Sequence, residues 1–430
     1  MGERRLSEYR AALDYLFERT TGGSRFGLER TAAMLAALGD PHLGLRILHV
    51  AGTNGKGSAC ATLEAVLRHR GLRVGKYTSP HLVDFRERFL VDGRAVDEEY
   101  VVEFIRRWTP DVERTGATFF EATTAMAFDW FARAGVDVAI IETGLGGRLD
   151  STNVVRPVSA GVTSIGIDHV EYLGSTRESI AFEKAGIFKA GAPAVIGEPD
   201  ADVAAMLTAH AREHGASVIA DVWRDAPPSR VTVTEKGTAF DVTIDGESLR
   251  LQTPLAGAHQ ASNTLVALMM LRAAGSPWSV TLAEAAGALA GVRLPGRFHR
   301  EGRFIFDVAH NPDGAAVLAA TVKAVGEPRP VAALLTVLTD KDWRGVMGVL
   351  APVVDVFVLT SAPTAPASRA WNVNEAFEYA KSRGWEAVLE PDFDRAISTA
   401  SSLAATVLVT GSFHTVGDAM ARLQVDPLAG

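Results

Sequence analysis

The sequence predicts an α/β fold: a mostly parallel sheet domain bearing a phosphate loop, followed by a smaller C-terminal α/β domain. Three observations carry this. The candidate strands are unbroken apolar runs rather than alternating ones, as expected of strands covered on both faces. Amphipathic helices separate them, which is the rhythm of parallel crossover units. The series breaks at Arg293-Leu294-Pro295-Gly296-Arg297 and then starts again, so we expect one domain over residues 1–295 and a second over 296–430.

Taken in order, the apolar run 45–50 passes into Gly52-Thr53-Asn54-Gly55-Lys56-Gly57-Ser58 and then into a helical pattern through Leu63, Val66 and Leu67, a strand-loop-helix sequence. A strand follows over 72–77, helices over 97–114 and 119–134, and strands over 136–143, 158–165, 194–197 and 217–220. Alternation around Glu235-Lys236-Gly237 and Asp245-Gly246 predicts antiparallel hairpins over 230–252, on one side of the sheet. Helices over 259–274 and 281–290 lead to the break, after which strands are expected over 304–308, 331–337, 353–359 and 406–410, with helices between.

Length and composition agree with this division. At roughly 100 to 200 residues per domain, 430 residues make two or three domains, and 47% hydrophobic residues suffice for large cores. The net charge of −8 leaves no global positive field for a nucleic-acid backbone or an anionic membrane, so any anion must be bound locally. A single cysteine, Cys60, excludes intrachain disulfides and multi-cysteine zinc sites and fits a reducing cytoplasm. Charges run through the first residues where a signal peptide would be apolar, and the least charged stretch, 251–271, is too polar to span a bilayer.

Residues 52–58 have the chemistry of a phosphate cradle. Glycines let consecutive N–H groups converge on an anion, the following helix offers its positive end, and Lys56 would reach the outer phosphates. Val50 and Gly57 depart from the usual pattern, so an ordinary glycine-rich turn stays open as the alternative. Glu142 ends a buried apolar strand where open α/β sheets bind ligands, and could ligate magnesium or merely cap the turn. The glycines of Gly144-Leu145-Gly146-Gly147 imply close backbone approach. Ser79 and His169 lie in polar segments after strands, and Lys184 sits in a helical pattern; alone, the histidine reads as a structural hydrogen-bonder and the lysine as a solvated charge.

Together these segments resemble the folylpolyglutamate synthase and dihydrofolate synthase family of Mur-type ATP-dependent amide ligases. The resemblance runs almost end to end: Phe26-Gly27-Leu28-Glu29-Arg30, the phosphate loop, Tyr77 to Leu82, Glu142 to Asn153, Asp168-His169 and Glu183 to Ile187. It continues through Leu294 to Phe298, Phe306 to Pro312, Asp340-Lys341-Asp342 and Gly411 to Val416. It implies that Thr53, Asn54, Gly55 and Lys56 hold the ATP phosphates, with Asn263, Arg297 and Asp307 also on the nucleotide. Ser79 and Glu142 would ligate one Mg²⁺ and His169 a second, and Lys184 would be carbamylated. The pterin or folate would meet Arg25, Phe26, Gly27, Thr118, Leu149, Asp150 and Ser151. Arg25-Phe26 stands where bacterial bifunctional members of the family often carry an acidic and an aliphatic residue, and Ser151 replaces a commoner Ala, which bears on substrate preference.

The implied reaction is attack of a pteroate or folate carboxylate on the γ-phosphate of ATP, then displacement of phosphate by the amine of L-glutamate. Catalytic roles would fall to Lys56, His169 and Lys184 in a cytoplasmic monomer, with the nucleotide held between two domains and no nucleic-acid or membrane partner. The competing expectations are a folylpolyglutamate synthase without dihydrofolate synthase activity, a ligase of peptidoglycan precursors and a nucleotide-dependent switch or ATPase. Too little chain precedes Gly52 for the substrate domain of the second, and Asp340-Lys341-Asp342 lacks the order of a guanine-specificity motif.

Overall fold

A computed structural model describes residues 2–20 and 27–429. The chain forms two compact units that interleave in sequence: Met1–Ser79, Arg86–Pro227 and Asn263–Ala288 in the first, Pro80–Phe85, Pro228–Ser262 and Leu289–Gly430 in the second.

The first unit is built on eight strands: β1 (Ile47–Ala51), β2 (Val74–Tyr77), β3 (Phe89–Val91), β4 (Arg94–Ala95), β5 (Val138–Glu142), β6 (Ser159–Val162), β7 (Ala194–Ile196) and β8 (Ile219–Asp221). Their order is β4-β3-β2-β5-β1-β6-β7-β8, parallel except for β3 and β4, which add an antiparallel edge. β1 and β5 are buried along their whole length, which is why they read as continuous apolar runs. Beyond β6 and β7, Ile180, Ala181 and Ala185 from one helix and Val203, Leu207 and Ala211 from another close a single core cluster.

The second unit contains two sheets. β9 (Ser229–Thr234), β10 (Gly237–Ile244) and β11 (Glu247–Thr253) form an antiparallel sheet in the order β11-β10-β9. The expected hairpins are therefore present, as a three-stranded sheet of their own that shares no strand pairing with the large one. Val233 packs with the core of the second unit, and the Thr238 hydroxyl donates to the carbonyl of Gly257, so this segment is held there.

The other sheet comprises β12 (His299–Glu301), β13 (Phe304–Phe306), β14 (Val331–Leu335), β15 (Val356–Leu359), β16 (Ala387–Leu389) and β17 (Thr406–Thr410), in the order β12-β13-β17-β14-β15-β16. Only β12 is antiparallel. The residues of β14 alternate between two cores: Val331, Ala333 and Leu335 face one cluster, Ala332 and Leu334 the other. Fully burying a valine or leucine side chain stabilises by about 1.5 to 3 kcal/mol, so both faces must be covered by helices. No described helix is long and apolar enough to cross a membrane.

Candidate active site

In the first unit the chemistry gathers at the C-terminal ends of β2, β5 and β1, the centre of the sheet. β1 runs straight into the glycine loop, and Val50 pairs in register with Glu142 on β5. The loop is fixed from the neighbouring β6 side. Thr53 N–H donates to Ser164 O at 2.7 Å, its hydroxyl exchanges hydrogen bonds with Gly166 at 3.0 and 3.1 Å, and Asn54 O accepts from Thr163 Oγ1 at 2.6 Å. Gly55 precedes the helix Lys56–His69 with φ +90°, and a Cβ there would collide with the Asn263 side chain. The left-handed turn and the close approach both require glycine, and they bring Asn263 against the loop.

Lys56 folds back over this loop, its Nζ donating to Gly52 O at 3.0 Å and Thr53 O at 3.3 Å, and lying 3.9 Å from Glu142 Oε1. The other Glu142 oxygen accepts from Ser79 N–H at 3.4 Å. The structure thus brings Lys56, Ser79 and Glu142 together. Glu142 offers a buried carboxylate, and Ser79, whose N–H it accepts from, carries a hydroxyl; both are hard-oxygen donors of the kind Mg²⁺ takes when phosphates and water complete its shell. Among the described residues no group of three His, Cys, Asp or Glu side chains could hold a metal by itself, so a cation here depends on ligand oxygens.

His169 begins the turn after Asp168 in a left-handed conformation, φ 52°, its Nε2 3.9 Å from Asp168 Oδ2. Lys184, on the helix Arg177–Ala185, is buried, and its Nζ donates to Gly52 O at 2.9 Å. Burial, followed by the nearby Lys56 charge, pushes this amine down to about 7, against Asp168 and Asp150. The solvated charge read from its pattern alone is corrected: Lys184 touches the phosphate loop. Cys60 lies buried on the loop's helix with its thiol pushed up by burial, a packed and unreactive residue.

The residues expected to meet the pterin or folate also belong to this unit. Arg25 and Phe26 lie outside the described residues. Gly27 has φ +123°, and its turn leads into the helix Glu29–Ala37. Thr118 caps the helix Phe119–Ala134 in a reciprocal box with Glu121. Glu121 in turn accepts from Arg30 Nε at 3.0 Å, so Arg30 and Glu121, which the sequence reading did not single out, tie the Gly27 and Thr118 segments together. The guanidinium of the buried Arg88 stacks 5.1 Å from the Phe119 ring, adjacent to Thr118, and nothing in its spacing announced this. Leu149 is half-buried; Asp150 is buried and caps the short turn that Ser151 opens.

In the second unit Asp307 follows β13. Its carboxyl accepts from Phe298 N–H and Ala309 N–H, both at 2.9 Å. Burial pushes this carboxyl up, opposed by Arg297, whose guanidinium stacks 5.4 Å from Phe413. Arg297 and Asp307 are therefore neighbours. The sequence reading also missed His259, whose buried ring is held down to about 4 by burial and by Arg297.

The chain is similar to known proteins over nearly its whole length. Residues 50–271 match the Mur ligase middle domain, and 296–413 the Mur ligase glutamate ligase domain. The chain is 37% identical to dihydrofolate synthase/folylpolyglutamate synthase of Escherichia coli K12, covering 96% of this chain and 94% of that one. A solved folylpolyglutamate synthase of Mycobacterium tuberculosis, complexed with ADP, superposes with a TM-score of 0.91 at 32% identity, covering 98% and 100% of the two chains. The E. coli enzyme in complex with DHPP and ADP gives 0.85 at 36% identity and 97% of each chain. A bifunctional folylpolyglutamate synthase/dihydrofolate synthase with Mn, AMPPNP and L-glutamate bound gives 0.84 at 34% identity, covering 97% and 98%. With identity spread over nearly the whole length and both ligase domains matched, the chain belongs to the dihydrofolate synthase/folylpolyglutamate synthase family of Mur-type ligases.

Proposed function

We propose that this chain is an ATP-dependent carbon–nitrogen ligase that joins L-glutamate to 7,8-dihydropteroate, and to tetrahydrofolate or its polyglutamates. The observation that carries the reading is the convergence of Lys56, Ser79, Glu142 and Lys184 around one glycine loop at the strand ends. A substrate carboxylate oxygen bonds to the γ-phosphorus as ADP leaves. The glutamate α-amine then bonds to the acyl carbon, phosphate departs and the amine loses a proton.

In this reading the N–H groups of residues 53–56 cradle the phosphates, and Lys56 offsets charge on the transferring group. Asn263, Arg297 and Asp307 complete the nucleotide contacts, with 1–295 and 296–430 as the functional division. Ser79 and Glu142 would hold one Mg²⁺ and His169 a second; a bound divalent ion neutralises developing phosphate charge. Gly27, Thr118, Leu149, Asp150 and Ser151, with Arg25 and Phe26, contact the pterin or folate.

Carbamylation of Lys184 is part of the proposal. Carbon dioxide reacts only with a neutral amine, forming an N–C bond and releasing a proton, and an amine held near 7 is substantially neutral at physiological pH. The resulting anion would orient a cation that an ammonium would repel. The same reading takes the enzyme as a cytoplasmic monomer without nucleic-acid or membrane partners.

The test is phosphate release from ATP with dihydropteroate and L-glutamate, and separately with tetrahydrofolate, the products being identified by mass. Release with both substrates supports the bifunctional reading, and release with tetrahydrofolate alone leaves a folylpolyglutamate synthase. Hydrolysis unchanged by either would leave a nucleotide-dependent ATPase and end the ligase reading.

A further inference from the structure

Behind Asp150 stands a chain of polar groups reaching the interior of the central sheet. Asp150 Oδ2 accepts from Gly144 N–H at 2.9 Å and Leu145 N–H at 2.7 Å. Its Oδ1 accepts from Thr152 N–H at 3.0 Å and from the Thr152 hydroxyl at 2.5 Å. This carboxylate therefore gathers both ends of the loop that leaves the metal-ligand position Glu142 and returns at Thr152.

Thr152 is itself held from below, its Oγ1 lying 2.9 Å from Nε2 of His49 on β1. A hydroxyl has one hydrogen, and Thr152 gives it to Asp150, so the His49 contact can only be Nε2–H donating to Thr152 Oγ1. That fixes the tautomer and leaves Nδ1 as a buried acceptor with no hydrogen-bond partner among the described residues. His49 and Thr152 are both completely buried. Burial, followed by the Lys189 charge, holds the ring down to about 3, so it stays neutral and Nδ1 carries no proton. A buried unpartnered ring nitrogen is costly, and a leucine here would avoid that; the donor toward Thr152 is what the histidine supplies.

We propose that Thr152, oriented by His49, is a positioning residue for substrate: through Asp150 it sets the shape of loop 143–150 against which the pterin ring is placed. This rests on the reading that the loop meets a folate substrate, and goes beyond it by assigning a role to two residues that need not touch the ligand.

Thr152→Val keeps the shape and removes the hydroxyl, and Thr152→Ser restores it. Losing a hydrogen bond to a charged group corresponds to roughly a tenfold or greater effect. The expected result is a KM for dihydropteroate raised about tenfold in T152V, with kcat and the KM for ATP within about twofold, and recovery in T152S. The second measurement is amide hydrogen exchange. Gly144 and Leu145 should exchange at least about tenfold faster in T152V, while β1 and the helix Lys56–His69 stay as in the unsubstituted protein. An unchanged dihydropteroate KM in an active enzyme overturns the proposal, as does an equal rise in the KM for ATP or failure of T152S to recover. If dihydropteroate is no substrate, exchange alone decides: unaltered protection of Gly144 and Leu145 overturns the positioning role, and selective loss supports it. Should T152V fail to fold, His49→Leu takes its place in both measurements, with His49→Gln, which keeps a donor, as the rescue.

Discussion

Lys184 shows how little a residue type says before its surroundings are known. In its helical pattern it is one charge among several; in the fold it is buried against Gly52 O, with its amine pulled down to about 7. Below that pH the amine binds a proton and cannot take up carbon dioxide, so activity should fall as pH drops through about 7 and should recover in part with added bicarbonate. Lys184→Ala should lose at least about a hundredfold in kcat, the scale of removing a group that acts only in the transition state, with partial recovery on adding short carboxylic acids. Normal turnover in the untreated variant would remove the carbamate from the mechanism. Glu142→Gln keeps the shape and the Ser79 contact while deleting the charge. The Mg²⁺ concentration for half-maximal activity should rise about tenfold or more, and a metal titration giving an unchanged midpoint would make Glu142 structural.

At the scale of the element, the phosphate loop was legible because its constraints are local. Glycines spaced before a lysine and a helix state a backbone conformation directly, and Gly55 does adopt φ +90°. Gly55→Ala meets both the left-handed turn and the Asn263 side chain, and backbone strain of this kind costs about 1 to 3 kcal/mol. The KM for ATP should rise about tenfold, since 1.4 kcal/mol is a factor of ten; a wild-type value in steady-state kinetics would show that the loop relaxes freely. The long apolar strands were legible for the same reason, whereas β3, β4, β12 and β16 were not. None exceeds three residues, so none shows a period of its own; β7, β8 and β13 are as short, but the strand–helix alternation around them marked their places. The network of Arg30, Glu121 and Thr118 was equally hidden, because Arg30 and Glu121 are 91 positions apart.

For the whole molecule, a protein of net charge −8 that handles ATP must concentrate its positive potential where the phosphates lie. Binding only the folded state stabilises it by mass action, about 2.7 kcal/mol at a ligand concentration a hundred times Kd. Mg²⁺ with a non-hydrolysable ATP analogue should therefore raise the melting temperature by several degrees, and much less without Mg²⁺. Equal shifts with and without the metal, read by calorimetry, would separate nucleotide binding from the cation.

The sequence by itself determined the α/β class, the succession of long strands, the phosphate loop and, through its ordered motifs, the family. These follow from periodicity, turn chemistry and short-range spacing, all of which operate within a few residues. Only the tertiary structure decided that the hairpins after Pro228 form a sheet of the second unit, that Lys184 reaches Gly52, and that His49 stands behind Thr152 and Asp150. Those arrangements depend on which strands become neighbours and which side chains are cut off from water. Burial then selects the protonation states and hydrogen-bond directions that no local pattern encodes.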